Sequence, residues 1–204
     1  MTGLPASTPP PPARARAAPR LAAPTRILQA TAGCIVARGA SQLSLQEVAE
    51  AADVSKGLIH YHFHDKETLL ARLAEWMTDG VIARERAALA DATPQTAVER
   101  LWSWLSSELD RGHVRAIGEL GREPGALVRA AVHDSAHRRR EAASETATRL
   151  YVALELKPRV PANFLAEVLV AFIDGLAIDH MIRPDTDSRV AFDVFWLTML
   201  SLAE

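Results

Sequence analysis

Side chains that can carry positive charge, donate hydrogen bonds or bind metal are concentrated between residues 55 and 66, in the segment SKGLIHYHFHDK. Lysines pair with phosphate oxygens, and histidine and tyrosine side chains can bond to phosphates or base edges. His60, His62 and His64 also alternate along the chain. On a β-strand they would share one face and could hold a metal ion, as in a metal-dependent enzyme. The backbone that carries these side chains decides between the two chemistries.

The residues before this segment predict a helix that begins at Ser44. Ser44 followed three residues later by Glu47 is a capping box, and Leu43 and Val48 occupy the positions of a hydrophobic staple. The apolar pattern of this helix ends at Asp53. A short helix therefore precedes the basic segment.

A second helix is predicted to begin at Ser55, which can cap it, with Val54 and Ile59 as its staple. Two helices joined by so short a turn cross steeply, and the second one can then enter the major groove of DNA. On a helix His62 points away from the other two histidines, and no aspartate or glutamate accompanies them at ligand spacing. We therefore expect a helix-turn-helix over residues 44–63, and we do not expect an enzyme.

The segment from Ala52 to Lys66 resembles the TetR family of bacterial one-component transcriptional regulators, whose common form is Ala-Gly-Val-Ser-Lys-Gly, an aromatic run, phenylalanine, two residues and lysine. The upstream segment RILQATAGCIVARG is similar to the family's first helix, which ends at a glycine, here Gly39. Asp53 replaces the usual turn glycine, and aspartate tolerates a left-handed turn. His-Tyr-His replaces the more usual Tyr-His-Tyr, which bears on the bases or phosphates contacted.

The resemblance implies an all-α fold of about nine helices, which agrees with helical periodicity and no strand-like alternation downstream. It implies a three-helix DNA-binding domain at residues 22–82 and a helical ligand-binding and dimerisation domain at residues 83–204. Later helix starts are predicted at Asp65, at Thr93 with Pro94, at Pro124 with Gly125, at Pro161 and at Asp187.

The contacts to DNA are expected from both helices of the motif and from the start of the next helix. The expected residues are Ser44, Ser55, Lys56, Gly57, Leu58, His60, Tyr61, His62 and Lys66. Lys66 matches the family's phosphate clamp. Two roles stay open for Leu58, core packing or contact with thymine methyl groups, and two for Tyr61, core packing or a phosphate contact.

Residues 1–21 are rich in proline, alanine and arginine and predict a disordered arm. Arg14, Arg16 and Arg20 could follow the minor groove, or the arm could simply be solvated. The whole chain has a formal charge of −2, so affinity for DNA must come from local placement of charge. The sequence has neither the apolar core of a signal peptide nor a long apolar run. We expect a cytoplasmic protein with no membrane partner.

Cys34 is the only cysteine, which excludes an internal disulfide and a cysteine-rich metal site. A small core residue and a redox sensor are its two possible roles. We expect no cofactor.

The last two predicted helices are apolar over more of their circumference than a lone surface helix needs. They could form the core of a monomer, but the resemblance implies a homodimer through a four-helix interface, and two operator half-sites also require two subunits. The expected interface residues are Phe172, Gly175, Leu176, Phe195, Trp196 and Met199. The stretch FIDGLAIDHM also resembles the betaine-repressor subgroup of the family.

The resemblance further implies that an unknown small-molecule effector binds among the middle helices and releases a repressor from a palindromic operator. Candidate lining residues, each of which could instead be plain core, are Trp76, Trp102, Leu105, His113, Ile117, Leu127 and Tyr151. Trp102 is preferred to Trp104 because it is in register with Leu105. The run Arg138 to Arg140 is interpreted as a solvated helix face.

The alternative is a DNA-binding regulator without a ligand, controlled by a partner protein. A sealed, fully packed middle domain would favour this alternative, and an open apolar cavity would favour the ligand-responsive regulator.

Overall fold

The computed structural model describes residues 21–204, and in this range one isolated β-bridge, Pro158 to Ala203, is the only extended pairing. The α-helices are α1 (Ala23–Arg38), α2 (Leu45–Ala52), α3 (Lys56–Phe63), α4 (Lys66–Leu89), α5 (Ala97–Arg111), α6 (His113–Leu120), α7 (Ala126–Ala153), α8 (Ala162–Ile182) and α9 (Ser188–Ser201). A 3₁₀ helix, Ala40–Gln42, precedes α2. The predicted all-α fold is confirmed. The predicted arm, with its three arginines, lies outside the described residues apart from Leu21.

Four helices begin at the polar residue where the sequence predicted a start: Ser44, Ser55, Asp65 and Asp187. In each case the side-chain oxygen accepts a hydrogen bond from a backbone N–H of the first turn, at 3.2 Å for both serines, 2.7 Å for Asp65 and 2.9 Å for Asp187. These bonds satisfy amides that a helix leaves without an internal partner.

Two details of the predicted helix starts are wrong. Ser44 Oγ accepts from the amide of Gln46, and Glu47 accepts a hydrogen bond from Arg38 at 2.7 Å, so Glu47 ties α2 to α1 in place of closing a capping box. Helix α5 begins at Ala97 and not at Thr93, because residues 93–96 form a turn in which the Thr93 amide donates to Thr96 Oγ1 at 3.0 Å.

Two hydrophobic clusters form the interior, and α4 contributes to both. The first joins α1 to α4 with α6 and the start of α7, and its members include Ile27, Ile35, Val48, Ile59, Phe63, Leu69, Met77, Ile117, Leu120 and Val128. The second joins the later part of α4 to α5, α7, α8 and α9, and its members include Val81, Leu105, Leu109, Leu150, Leu165, Ile173 and Phe192. The predicted domain boundary at residue 82 therefore falls inside α4, and α6 packs into the N-terminal cluster. Cys34 is half-buried against that first cluster.

The arginine run on α7 is not a solvated face. Arg139 is only 8% exposed and donates to Asp174 on α8 at 2.6 Å. Arg138 pairs with Asp79 on α4, and Arg140 donates to Glu167 on α8 at 2.6 Å. The three arginines thus connect α7 to its neighbours on both sides, a tertiary arrangement that charge alone did not indicate.

Candidate functional site

Helix α3 has a buried and an exposed face. Ile59 and Phe63 are buried in the first cluster and hold the helix against α1 and α4. The exposed face is formed by Lys56, Gly57, His60 and Tyr61. Tyr61 is 75% exposed, so its side chain is not part of the core of the chain. Since residues spaced by three or four positions share a side of a helix, Lys56 with His60 and Gly57 with Tyr61 form one exposed face of α3.

The turn between α2 and α3 contains Asp53 in the left-handed conformation, with φ 52° and ψ 55°. This agrees with the predicted tolerance of aspartate at the usual glycine position. The carbonyl groups at the end of α2 are held by Arg26 of α1, which sequence reasoning missed. Arg26 donates to the carbonyl of Ala52 at 2.9 and 3.1 Å and to that of Asp53 at 2.7 Å. The sequence offered one general indication of this contact: every helix end leaves carbonyl groups without internal partners, and these need a donor.

Lys66 connects the start of α4 to the start of α2. Its Nζ is half-buried and donates to the carbonyl of Leu43 at 3.2 Å, next to the Ser44 cap. Beside it, the amide of Thr68 bonds to the Asp65 carboxylate and lowers the pKa of Asp65 below its usual value. Two helix N-termini, which favour anions, thus lie close together with a lysine between them.

His62 does not share the exposed face of α3. It is half-buried and lines a shallow groove together with residues of α1 and α4, including Leu28, Arg72 and Trp76. His62 follows His60 by two residues, which is about 200° around a helix, so it lies off the exposed face and its contact with bases stays a prediction. The ring of His60, which lies on the exposed face, bonds through Nδ1 to the carbonyl of His64, at 2.9 Å.

Between residues 21 and 204 no three histidine, cysteine or acidic side chains are grouped to hold a metal ion. Leu58 is half-buried, so both of its roles stay open.

A cavity of about 310 Å³ lies between α6, α7 and α8. It is lined by Val114, Arg115, Ile117, Gly118, Glu119, Arg122, Val132, Ala136, Arg139, Asp174, Ile178 and Met181. Its volume is at the small end of the range of ligand pockets, about 300–1,000 Å³. The cavity combines an apolar wall with five charged side chains, which is the composition of a site for a small amphipathic molecule.

Of the seven residues predicted to line a ligand site, only Ile117 lies on the wall of this cavity. Leu105 and Tyr151 are buried in the second cluster, where the Tyr151 hydroxyl donates to the carbonyl of Met199 at 2.7 Å. Trp102 packs against Phe192, with ring centroids 5.2 Å apart, and is half-buried. Neither Trp102, the preferred lining residue, nor Trp104 lies on the wall of this cavity, and Trp104 is the buried one of the two.

The other three predicted residues also lie elsewhere. Leu127 is exposed near the start of α7. Trp76 of α4 and His113 of α6 pack against each other, with ring centroids 5.7 Å apart. Burial lowers the pKa of His113, and the positive charge of Arg84 lowers it further. Periodicity gave the helices correctly but not the rotation of each helix against its neighbours.

Three of the six predicted dimer residues, Leu176, Trp196 and Met199, are buried within the core of the chain itself. Phe172 and Phe195 stack on each other across α8 and α9, at 3.9 Å between ring centroids, and are half-buried. Gly175 faces outward into open space. The exposed large apolar residues of these helices are Phe164, Val168, Ile178, Met181 and Ile182 on α8 and Val190, Val194 and Leu197 on α9.

None of the helices between residues 21 and 204 combines the length and the apolar character needed to cross a lipid bilayer.

Residues 27–73 match the family model described as bacterial regulatory proteins, tetR family. Over 78 residues the chain is 35% identical to the HTH-type transcriptional regulator SrpR of Pseudomonas putida, in a match that covers 38% of this chain and 33% of SrpR. It is 33% identical, also over 78 residues, to the uncharacterized HTH-type transcriptional regulator TtgW of Pseudomonas putida, a match covering 38% of this chain and 52% of TtgW. The chain thus matches between a third and a half of the length of these curated relatives.

Solved structures resemble the chain over almost its whole length. Reduced NemR of E. coli superimposes with a TM-score of 0.72 at 15% identity, covering 88% of this chain and 98% of NemR. FadR of Bacillus subtilis, in complex with stearoyl-CoA, superimposes with a TM-score of 0.65 at 19% identity, covering 87% of this chain and 97% of FadR. At such identities the likeness shows the fold. Residues 27–73 therefore resemble the helix-turn-helix segment of the tetR family, and the described chain shares the fold of these solved structures.

Proposed function

We propose that this protein regulates transcription as a DNA-binding repressor that inserts α3 into the major groove of its operator. The observation that carries the proposal is the exposed face of α3, where Lys56, His60 and Tyr61 extend from a helix anchored by buried residues. Lysine and tyrosine suit phosphate oxygens, and an exposed histidine can bond to base edges. Gly57 on the same face leaves room for close approach of the DNA.

The repressor acts as a homodimer on a palindromic operator in this proposal. The support is the set of exposed apolar side chains on α8 and α9, which includes Val168, Val194 and Leu197. Exposed apolar surface of this kind is typical of an interface, and a two-fold axis would pair the same helices of two subunits. Phe172, Gly175 and Phe195 remain proposed interface residues, and Gly175 would let a neighbouring backbone approach closely.

A small-molecule effector releases the repressor from DNA in the proposed mechanism. The cavity between α6, α7 and α8 favours this over control by a partner protein, for which a sealed middle domain would be expected. The structural relative FadR holds stearoyl-CoA, which supports effector binding on this fold. The proposed regulation requires that the effector bind the released state much more tightly than the DNA-bound state.

The same observations favour a regulator over a metal-dependent enzyme, because the histidines at positions 60, 62 and 64 lie on different sides of a helix end. A chromosomal operator as partner also implies that the protein acts in the cytoplasm. Membership of the betaine-repressor subgroup stays a prediction.

The proposal is tested by binding of the purified protein to duplexes from the DNA that flanks its own gene, followed by fluorescence anisotropy at two salt concentrations with scrambled duplex as competitor. We expect tight, salt-dependent binding to a palindromic duplex with two subunits bound per site. If a genome-wide selection of bound fragments also yields no preferred sequence, the proposed function is wrong.

Lys66→Ala is expected to weaken binding to all duplexes alike, and to reduce the slope of log affinity against log salt by about one unit. The reason is that Lys66, fixed between the starts of α2 and α4, would contact phosphate, and phosphates carry no sequence information. Anisotropy titrations over a salt series measure the slope. Lys157→Ala is the matched control, because Lys157 is exposed in the α7–α8 connection. Loss of affinity for the operator alone, with scrambled DNA unaffected, would contradict the phosphate role of Lys66.

A further inference from the structure

The charged side chains around the cavity leave an excess of positive charge. Glu119 pairs with Arg115, and Asp174 accepts a hydrogen bond from Arg139 at 2.6 Å. The guanidinium of Arg122, by contrast, makes no hydrogen bond or ion pair with any other residue of the described chain, and it is exposed at the rim. Both carboxylates are therefore compensated and one arginine is not, so the cavity favours an anion.

The remainder of the wall is apolar. Its side chains come from three helices: Val114 and Ile117 on α6, Val132 and Ala136 on α7, and Ile178 and Met181 on α8. Transfer of an aliphatic chain from water to such a surface is favourable in proportion to the apolar area buried. The ligand that satisfies both the wall and the rim is an amphipathic molecule with an apolar body and a single carboxylate.

Arg115 connects the cavity to the first helix. Its side chain is 12% exposed, lines the cavity and pairs with Glu119, and its Nη2 donates to the carbonyl of Val36 at 2.6 Å. Val36 lies in the last turn of α1, where a helix leaves its carbonyl groups without internal partners. Arg115 therefore satisfies a carbonyl of α1 with a donor that faces the ligand cavity.

The other end of α1 holds the helix-turn-helix. Arg26, in its first turn, donates to the carbonyls of Ala52 and Asp53 at the end of α2. Helix α1 is thus held by hydrogen bonds at both ends, to the cavity through Arg115 and to the turn before α3 through Arg26. Gly112, at the start of α6, also lies so close to Val36 that an added Cβ would meet Val36 Cγ1 at 3.0 Å. A shift of α6 would therefore displace α1.

We propose that the cavity binds an amphipathic monocarboxylate, whose carboxylate pairs with Arg122 and Arg115, and that capture of Arg115 weakens its hydrogen bond to the carbonyl of Val36 and so repositions α1. The proposal rests on the proposed function for its effect on DNA and supplies the chemical class of the effector and the route of coupling. A guanidinium binds a carboxylate more strongly than a neutral carbonyl, so a ligand carboxylate competes well for Arg115.

The ligand class is tested by calorimetric titration, without DNA, of three probes of equal chain length: decanoate, 1-decanol and decylamine. We expect decanoate to bind at least about tenfold more tightly than decanol, and decylamine no more tightly than decanol, as one charge-assisted contact is worth about a factor of ten. Arg122→Gln should remove most of the advantage of decanoate and leave decanol unchanged. Arg149→Gln, which removes an exposed arginine of α7 outside the cavity, is the matched control. Equal affinity of decanoate and decanol would overturn the proposal.

The coupling is tested by anisotropy with the duplex that the protein binds most tightly, in the presence and absence of saturating decanoate. We expect decanoate to weaken binding of the wild type at least about tenfold, and DNA to weaken decanoate binding by the same factor. In Arg115→Gln the effect of decanoate on DNA affinity should fall below about threefold while decanoate still binds. Arg115→Lys, which keeps the charge but lacks the planar two-pronged donor, should show the same reduced coupling and guards against a misfolded glutamine variant.

Each failure has a distinct meaning. A wild type that binds its duplex but not decanoate overturns the cavity proposal and leaves the proposed function standing. A wild type that binds decanoate but prefers no DNA sequence contradicts the proposed function and the coupling, and supports the ligand class. Full coupling in both Arg115 variants overturns the route through Val36.

Discussion

Val194→Asp is expected to convert the proposed dimer into a monomer and to weaken operator binding by about 100-fold or more, because binding of one half-site would replace binding of two. Val194 is 60% exposed and lies on the outer side of α9 between Val190 and Leu197, which are also exposed. In a two-fold interface every substitution occurs twice, so the dimer would have to bury two additional carboxylates, which is costly. Light scattering on a size-exclusion column measures the mass, and anisotropy measures the affinity for DNA.

The matched control is Val152→Asp. Val152 is more exposed than Val194, at 73%, but it lies near the end of α7 and outside the apolar face of α8 and α9. This variant should remain a dimer and bind the operator as the wild type does. A Val194→Asp protein that stays dimeric at micromolar concentration would place the interface on another surface.

The local features of the fold could be predicted because they depend on a few neighbouring residues. Ser55 needed only the amide of Leu58 to cap α3, and Asp53 needed only a backbone that tolerates a left-handed turn. The exposed face of α3 could be predicted for the same reason, because the buried residues of α3 are spaced four apart on one side of the helix. His62 is half-buried beside residues of α1 and α4, and its contact with bases stays a prediction.

The cavity and the proposed dimer face could not be located in the same way, since both depend on how each helix is rotated against distant ones. Trp196 and Met199 are as apolar as Val194 and Leu197, and packing of α9 against α5 and α8 determines which of them face inward. Arg115 is the clearest case. Its partner Val36 is 79 residues away in the chain, and no pattern within one helix indicates such a pair.

A buried ion pair that joins α4 to α5 likewise could not be predicted from patterns within one helix. Glu108 is only 1% exposed and its carboxylate is held by Arg84, whose Nη2 donates to Oε2 at 2.8 Å and whose Nε bonds to Oε1. A second arginine, Arg111, lies 3.7 Å from the same carboxylate, beyond hydrogen-bond distance. Glu108 lies four residues after Trp104 and three after Leu105, on the buried side of α5, but its partner Arg84 lies 24 residues earlier in the chain. Burial makes the carboxylate costly without that partner.

Arg84→Met is expected to lower the free energy of unfolding by about 3 kcal/mol, because removal of one partner leaves a buried carboxylate with no hydrogen-bonded cation. For a chain of this size the midpoint of thermal unfolding should fall by about 10 °C. Arg86→Met is the matched control on the same helix, since Arg86 pairs with Glu145 at 3.0 Å between side chains that are both about half exposed. Such exposed pairs contribute about 1 kcal/mol or less.

The double variant Arg84→Met with Glu108→Leu separates the pair from the packing around it. With the buried charge removed as well, most of the lost stability should return, because an apolar pair of similar volume is often as stable as a buried ion pair. Thermal and urea unfolding followed by circular dichroism measure all four proteins. If Arg84→Met and Arg86→Met lose the same small amount of stability, then water reaches Glu108 and the α4–α5 contact does not depend on this ion pair. If the double variant is less stable than Arg84→Met, the pair stabilises the contact by its geometry and not merely by neutralising a buried charge.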